Sequence, residues 1–92
     1  AQFSTEDDFK PRKDLDSGEL TDLFSWDETE FLERTEGSAI RRIGHERWLR
    51  NIAVALGNAP TSPAVVNALK NRLDHPSPLV REHVEWALQQ HA

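Results

Sequence analysis

The stretch HERWLRNIAVALG, residues 45–57 of the 92-residue chain, carries its strongest helical pattern. Five apolar residues recur there at the spacing of one helix face, and polar residues occupy the opposite side. We therefore expect a helix that begins at His45 and ends at Gly57, because Pro60 prevents its continuation. The residues predicted to face the core are Trp48, Leu49, Ile52, Ala53 and Leu56.

The dipeptide Ser-Pro occurs twice beyond this stretch, and both copies are helix start signals. The serine oxygen caps the first turn, and proline suits the first helical position, where its missing N–H would have no partner. The copy at 62–63 predicts a helix over about 63–73. The copy at 77–78 predicts a helix over about 78–91. The residues predicted to face the core are Val66, Leu69 and Leu73 in the first helix and Val80, Val84, Ala87 and Leu88 in the second.

A capping-box pattern at Asp27 and Glu30 predicts another helix over about 27–36. Gly37 favours its end, because glycine readily adopts the left-handed conformation found there. Upstream, residues 19–24 place three apolar side chains at helical spacing and predict a shorter helix. The residues predicted to face the core are Phe31 and Leu32 in the longer helix and Leu20, Leu23 and Phe24 in the shorter one.

The organisation of the chain is predicted to be one helical domain with an extended lead-in. Residues 1–18 contain many charges together with Pro11 and Gly18, which is typical of a linker, and the helical domain covers 19–92. Strand-like alternation is absent from the sequence, so the predicted fold class is all-α with about five helices. The chain begins with Ala1 instead of Met, and we expect a processed product or an excised fragment.

A weak internal repeat adds an architecture to this fold class. Segments 48–58 (WLRNIAVALGN) and 80–90 (VREHVEWALQQ) share an Ala-Leu pair at an offset of 32 residues. Repeated helix pairs of about this length are typical of α-solenoids. Residues 78–81 (PLVR), followed by WAL at 86–88, also resemble the first helix of a HEAT repeat. The predicted architecture is therefore a small HEAT-like domain of the α-solenoid type.

Charge is unevenly distributed along the chain, whose net charge is −5. Residues 1–36 hold 12 acidic and 4 basic residues, whereas residues 37–92 hold 4 acidic and 7 basic ones. Within 38–58 every basic residue apart from one His is an Arg, whose planar guanidinium group suits bidentate contacts with phosphate. The candidate residues for docking on the phosphate backbone of a nucleic acid are Arg41, Arg42, His45, Arg47 and Arg50.

Two further features bear on this arginine cluster. Ser38 is expected to cap a short turn over 39–43, and Gly44 then interrupts the chain before the main helix. The free N–H groups of a helix N-terminus favour phosphate in addition. The alternative is an ordinary solvated surface, on which the arginines pair with acids of the same domain. The acids considered for this pairing are Glu33, Glu36 and Glu46.

Other chemistries find little support in the sequence. Cys is absent, which excludes thiolate catalysis and thiolate ligation of zinc or an iron–sulfur cluster by these residues. A metalloprotease helix needs a second His four residues after the first, and His45 has none. No apolar run is long enough to span a bilayer. Trp48 and Trp86 are expected in or beside the core, whereas Trp26 is expected to staple a turn.

At this point a family resemblance becomes visible. The block EGSAIRRIGHERWLRNIAVALGNAP, residues 36–60, resembles the C-terminal part of epoxyqueuosine reductases. Further matches are DFKPR at 8–12, LFSWD at 23–27 and PLVREH at 78–83. Ala39 departs from the pattern, because relatives often have Pro there, and this substitution should loosen the start of the turn.

The resemblance implies a larger parent enzyme in the cytoplasm. It would combine a cobalamin-binding domain, a ferredoxin-like part with two 4Fe-4S clusters and a C-terminal helical HEAT-like domain, and would reduce epoxyqueuosine to queuosine in tRNA. This chain would be the helical domain, with no cofactor and no catalytic residue of its own. Its expected partners are tRNA and the preceding iron–sulfur domain, with no membrane contact. The alternative is a purely structural packing scaffold that never touches RNA.

Overall fold

The structure, a computed structural model, describes residues 17–92 and is all-α over that range. Over these residues the predicted all-α fold class and the predicted number of about five helices are confirmed. Of the lead-in predicted for 1–18, residues 1–16 lie outside the described range. The helices are α1 (Ser17–Phe24), α2 (Glu28–Arg34), a 3-10 helix (Ala39–Ile43), α3 (Gly44–Gly57), α4 (Pro63–Lys70) and α5 (Pro78–Gln89).

Side-chain caps begin four of these helices where the sequence predicts them. In each case a carboxylate or hydroxyl oxygen accepts a hydrogen bond from a backbone N–H two or three residues further on, which satisfies one of the donors that a helix start leaves unpaired. The capping pairs are Asp27–Glu30, Ser38–Ile40, Ser62–Val65 and Ser77–Val80, with distances of 2.8, 3.1, 3.2 and 3.3 Å from oxygen to nitrogen.

Helix α3 is the centre of the fold. Its most extensive contact is with α5, and it also packs against α1, α2, α4 and the 3-10 helix. All five residues of the predicted α3 stripe are buried, so this prediction is confirmed. The other helices contribute further buried apolar side chains, namely Leu20, Phe24, Phe31, Val65, Leu69, Val80, Val84 and Ala87.

The two short helices α2 and α4 end earlier than predicted, and this changes which side chains they bury. In α2 the buried stripe is Phe31 and Thr35, one turn apart, so Leu32 lies beside it and is 36% exposed. In α4 the buried residues are Val65 and Leu69. Because α4 ends at Lys70, the chain turns away before Leu73 could extend this stripe. The predictions that Leu32 and Leu73 face the core are therefore wrong, and Val66, which is also predicted to face the core, is only partly buried.

Helix α5 buries a narrower stripe than predicted. Val80, Val84 and Ala87 are buried, whereas Leu88 is only partly buried. Trp86 is 38% exposed and is not a core residue, but the edge of its ring lies against buried Gly57, beside the core as predicted. The internal repeat is not reproduced in the burial pattern either: of its Ala-Leu pair, α3 buries the Leu and α5 buries the Ala.

The C-terminal end of α1 is closed by side chains from distant parts of the chain. Arg72 donates from Nε and Nη2 to the carbonyl oxygen of Phe24, at 3.3 and 3.0 Å. The carbonyl oxygen of Trp26 accepts from Arg72 Nη2 at 3.0 Å and from His45 Nε2 at 2.7 Å. These bonds satisfy carbonyl groups that a helix end leaves without intrahelical partners. Burial lowers the pKa of Arg72, and the nearby Asp27 carboxylate acts in the opposite direction.

Trp26 completes this corner. Its ring stacks on the ring of Trp48 with centroids 5.5 Å apart, and the guanidinium group of Arg34 lies 5.3 Å from its centroid. Such contacts add to the stability that apolar burial provides. Trp26 thus tethers the turn between α1 and α2 to α3, in line with the stapling role expected for it.

Within residues 17–92, no helix combines the length and the apolar character that crossing a bilayer requires.

Candidate nucleic-acid interface

The candidate site spans the 3-10 helix and the first two turns of α3. Arg41 and Arg42 belong to the 3-10 helix, and Arg47 and Arg50 belong to α3. Gly44 joins the two elements with φ of 85°, a conformation that side chains other than glycine rarely adopt. We call the four arginines the arginine surface.

Three of the four side chains are exposed: Arg41, Arg42 and Arg47. Among residues 17–92, none of them forms an ion pair with a carboxylate. The pairing with Glu33, Glu36 and Glu46 that an ordinary solvated surface would show is therefore absent from the described part of the chain. The ion pair seen there joins Arg34 and Glu30, with nitrogen and oxygen 3.0 Å apart. Several arginines without a carboxylate partner on one short segment form a local positive charge, which can attract a polyanion.

Arg50 is partly buried and held by two neutral side chains. Its Nε donates to Nε2 of His83 in α5 over 3.4 Å, and its Nη1 donates to Oδ1 of Asn51 over 2.9 Å. Sequence reasoning did not include Asn51 and His83 in the site. The contact with His83 spans 33 positions along the chain, and a single sequence carries no signal for it.

His45 is engaged within the fold. Its Nε2 donates to the carbonyl oxygen of Trp26, and its ring lies 5.7 Å from the ring of Phe31. The side chain is partly buried. The structure therefore brings His45 to the corner between α1 and α3, whereas Arg41, Arg42 and Arg47 extend to the surface.

The N-terminus of α3 has fewer free backbone N–H donors for an anion than the sequence predicts. The N–H of Gly44 already donates to the carbonyl oxygen of Arg41, because the 3-10 helix runs directly into α3. One of the donors that a free helix start would offer to an anion is therefore already used. Glu46 is exposed nearby, and its Oε2 accepts a hydrogen bond from the hydroxyl of Ser77.

The residues that the structure describes form no ligand set for an iron–sulfur cluster or a metal ion. The chain has no Cys to ligate iron. Over residues 17–92, no three His, Asp or Glu side chains converge in a way that could hold an ion. What the exposed arginines can do chemically is donate hydrogen bonds to oxyanions such as phosphate groups.

Comparison with known proteins gives one consistent name. A protein of Xanthomonas campestris pv. campestris named epoxyqueuosine reductase is 65% identical over 91 residues, which is 99% of this chain and 26% of that protein. The Pseudomonas aeruginosa protein of the same name is 64% identical over 84 residues, 91% of this chain and 23% of its own length. The Escherichia coli one is 58% identical over 90 residues, 98% of this chain and 24% of its own length.

The chain thus spans about a quarter of the length of the curated relatives that it matches. No family model matches the chain. No solved structure matches it either. The identity to the named relatives extends over nearly all of its residues, and it is high enough to establish common ancestry. Over nearly its whole length, the chain is therefore homologous to a segment of the epoxyqueuosine reductases.

Proposed function

We propose that this chain is the C-terminal helical module of an epoxyqueuosine reductase, which helps to dock tRNA and packs on the iron–sulfur domain of the same protein. The names of the relatives support the parent enzyme, an epoxyqueuosine reductase and hence an oxidoreductase of tRNA queuosine biosynthesis. Its location in the cytoplasm is part of the proposal. The module itself contributes binding surface and no catalytic group. Its HEAT-like type is part of the proposal.

The observation that carries the docking role is the arginine surface. Arg41, Arg42 and Arg47 are exposed, and no carboxylate among residues 17–92 neutralises them. Phosphate contacts from such side chains release condensed counterions, which favours binding without reading sequence. The acidic remainder of the chain would be repelled by RNA, so contact is expected on the side that carries the arginine surface.

The parent's cofactors belong to other parts of that protein in this proposal. The two 4Fe-4S clusters require thiolate ligands, and this chain has no Cys. Cobalamin is expected in the N-terminal domain. The module's contribution to catalysis is to hold the substrate RNA in a fixed position relative to the other domains of the same protein.

A packing scaffold without RNA contact is the second candidate, and one feature favours it. Trp86 is 38% exposed and lines a groove together with Val54, Glu82 and His83. Exposed Trp beside aliphatic groups is common at the centre of protein–protein contacts. The scaffold role alone does not, however, explain why the exposed arginines have no carboxylate partner among residues 17–92.

A titration distinguishes the two candidates. Transfer RNA is added to the isotope-labelled chain, and backbone amide shifts are followed residue by residue. Docking predicts saturable shifts concentrated in residues 39–51, which weaken as salt is raised. The scaffold candidate predicts no saturable shift in this segment, and a folded spectrum throughout is the control.

A further inference from the structure

Arg50 differs from the other members of the arginine surface because side chains hold it in place. Nε of Arg50 donates a hydrogen bond to His83, and Nη1 of Arg50 donates one to Asn51. The other three arginines extend from the surface without such contacts among residues 17–92. An arginine normally loses considerable side-chain freedom when it binds a ligand, and part of this loss has already occurred at Arg50.

The protonation of His83 follows from its two contacts. Nδ1 lies 2.8 Å from the carbonyl oxygen of Leu79, which can only accept, so Nδ1 carries the proton. Nε2 then has a free lone pair, which accepts the hydrogen bond from Arg50. The ring is neutral in this geometry, and the bond to Leu79 fixes its orientation.

Neutral acceptors position a cation without cancelling its charge. A carboxylate in place of His83 or Asn51 would orient Arg50 equally well, but it would also compete with any anionic ligand. Arg50 has five N–H donors, and two of them are used. The three that remain belong to Nη1 and Nη2, the end of the guanidinium group that meets phosphate oxygens in fork-shaped contacts.

The geometry points to His83 and Asn51 as positioning residues that prepare Arg50 to bind a phosphate group of RNA. This inference rests on the proposed docking of tRNA, and it adds a division of labour to it. Arg41, Arg42 and Arg47 supply mobile charge that attracts RNA, and Arg50 supplies a fixed contact that sets its orientation. Helices α3 and α5 both contribute to this contact, since α3 carries Arg50 and α5 carries His83, which positions it.

The test uses the longer protein that we propose contains this chain, with tRNA dissociation constants measured at several salt concentrations. His83→Leu removes the acceptor, and His83→Gln supplies another one through its amide oxygen. Arg50→Lys keeps the charge but cannot donate from Nε to His83. We expect His83→Leu and Arg50→Lys each to weaken binding about three- to ten-fold with little change in salt dependence, and His83→Gln to restore most of the loss.

The decisive readout is the combination of Arg50→Lys with His83→Leu. If His83 acts through Arg50, the dissociation constant of the double variant is no higher than that of the single variant that binds tRNA more weakly. Additive losses would overturn the inference, because they would show that His83 acts independently of Arg50. Asn51→Ala tests the second support without altering α5, and binding as in the wild type would overturn its assigned role. Urea unfolding of each variant separates lost positioning from lost folding.

The outcomes also separate this inference from the proposed docking. If the Arg50 variants bind as the wild type does while loss of Arg41 and Arg42 weakens binding, docking stands and the fixed contact is wrong. If neither change affects binding, both fail.

Discussion

The indole ring of Trp86 lies so close to Gly57 that a Cβ atom at position 57 would be 2.5 Å from its Cζ3 atom. The same Cβ would lie 3.1 Å from both the Cα and the Cβ of Ala87. The absence of a side chain at Gly57 thus lets α5 approach the last turn of α3. This close approach sets the packing of the two helices that form the most extensive contact in the fold.

The first prediction follows from this approach. Gly57→Ala in a helix would ordinarily stabilise a protein by about 0.5–1 kcal/mol, because alanine restricts the unfolded chain. Here we expect it to destabilise by about 1–3 kcal/mol, since the Ala87 backbone cannot move as a flexible side chain would. Urea unfolding measures the change. A stabilised variant would contradict the packing of α5 on α3.

The second prediction concerns the core. Ile52 is buried in the middle of α3, and Ile52→Ala should cost about 2–5 kcal/mol of unfolding free energy through lost burial and a residual cavity. Leu32→Ala is the matched control, because Leu32 is 36% exposed and should cost well below that range. Thermal and urea unfolding of both variants check the expectation. Equal costs would show that the side chains do not differ in burial.

The third prediction compares the two Ser-Pro helix starts. Ser62 and Ser77 both cap a helix, but the hydroxyl of Ser77 also donates to the carboxylate of Glu46. Each change to Ala should destabilise by about 0.5–2 kcal/mol, with the larger loss at Ser77. Adding Glu46→Gln to Ser77→Ala tests the difference. If Ser62→Ala costs more than Ser77→Ala, the bond to Glu46 contributes nothing.

The fourth prediction concerns pH. Burial lowers the pKa of His75 below its usual value of about 6.5, helped by the positive charges of Arg72, His45 and Arg81 and opposed by Glu46. The neutral ring also accepts the N–H of Ser77 at Nδ1, over 3.0 Å. Below the pKa that His75 has in the unfolded chain, the unfolded chain therefore binds a proton at His75 more readily than the folded chain does. Stability should fall as pH drops through 6.5 towards the lowered pKa.

His75→Asn isolates this contribution. An asparagine oxygen can accept from the N–H two residues ahead, as Nδ1 of His75 does, but it does not titrate. Unfolding free energies measured between about pH 5 and 8 should therefore fall less steeply in the variant than in the wild type. Parallel curves would show that His75 carries none of the dependence.

Local patterns account for what the sequence predicts correctly. The caps at Asp27, Ser38, Ser62 and Ser77 depend on residues within one turn, and the predicted stripe of α3 is long enough to define a face. Gly37 also has the predicted positive φ, at 79°, although α2 already ends at Arg34 with Thr35 as its C-cap. These features follow from backbone geometry and from periodicity, which a single sequence contains.

What the sequence does not predict depends on contacts between distant residues. Leu73 is 38% exposed because α4 ends at Lys70, and the next residue but one, Arg72, donates to the end of α1, 48 positions away in sequence. Trp86 lies at the rim of the core with its edge against Gly57, 29 positions away in sequence. The arginine cluster is visible in the sequence, but its division into exposed members and a supported Arg50 depends on the pairing of α3 with α5.

The docking claim is tested most directly by the salt dependence of tRNA binding in the longer protein with Arg41→Ala and Arg42→Ala combined. Each lost phosphate contact should lower the slope of log affinity against log salt by about 0.7–0.9, so the double variant should bind more weakly with a slope reduced by roughly 1.4–1.8. Arg34→Ala with Lys70→Ala removes the same charge elsewhere on the module and should leave the slope nearly unchanged. Wild-type affinity and wild-type slope in a folded Arg41→Ala, Arg42→Ala protein would contradict phosphate docking by these two arginines.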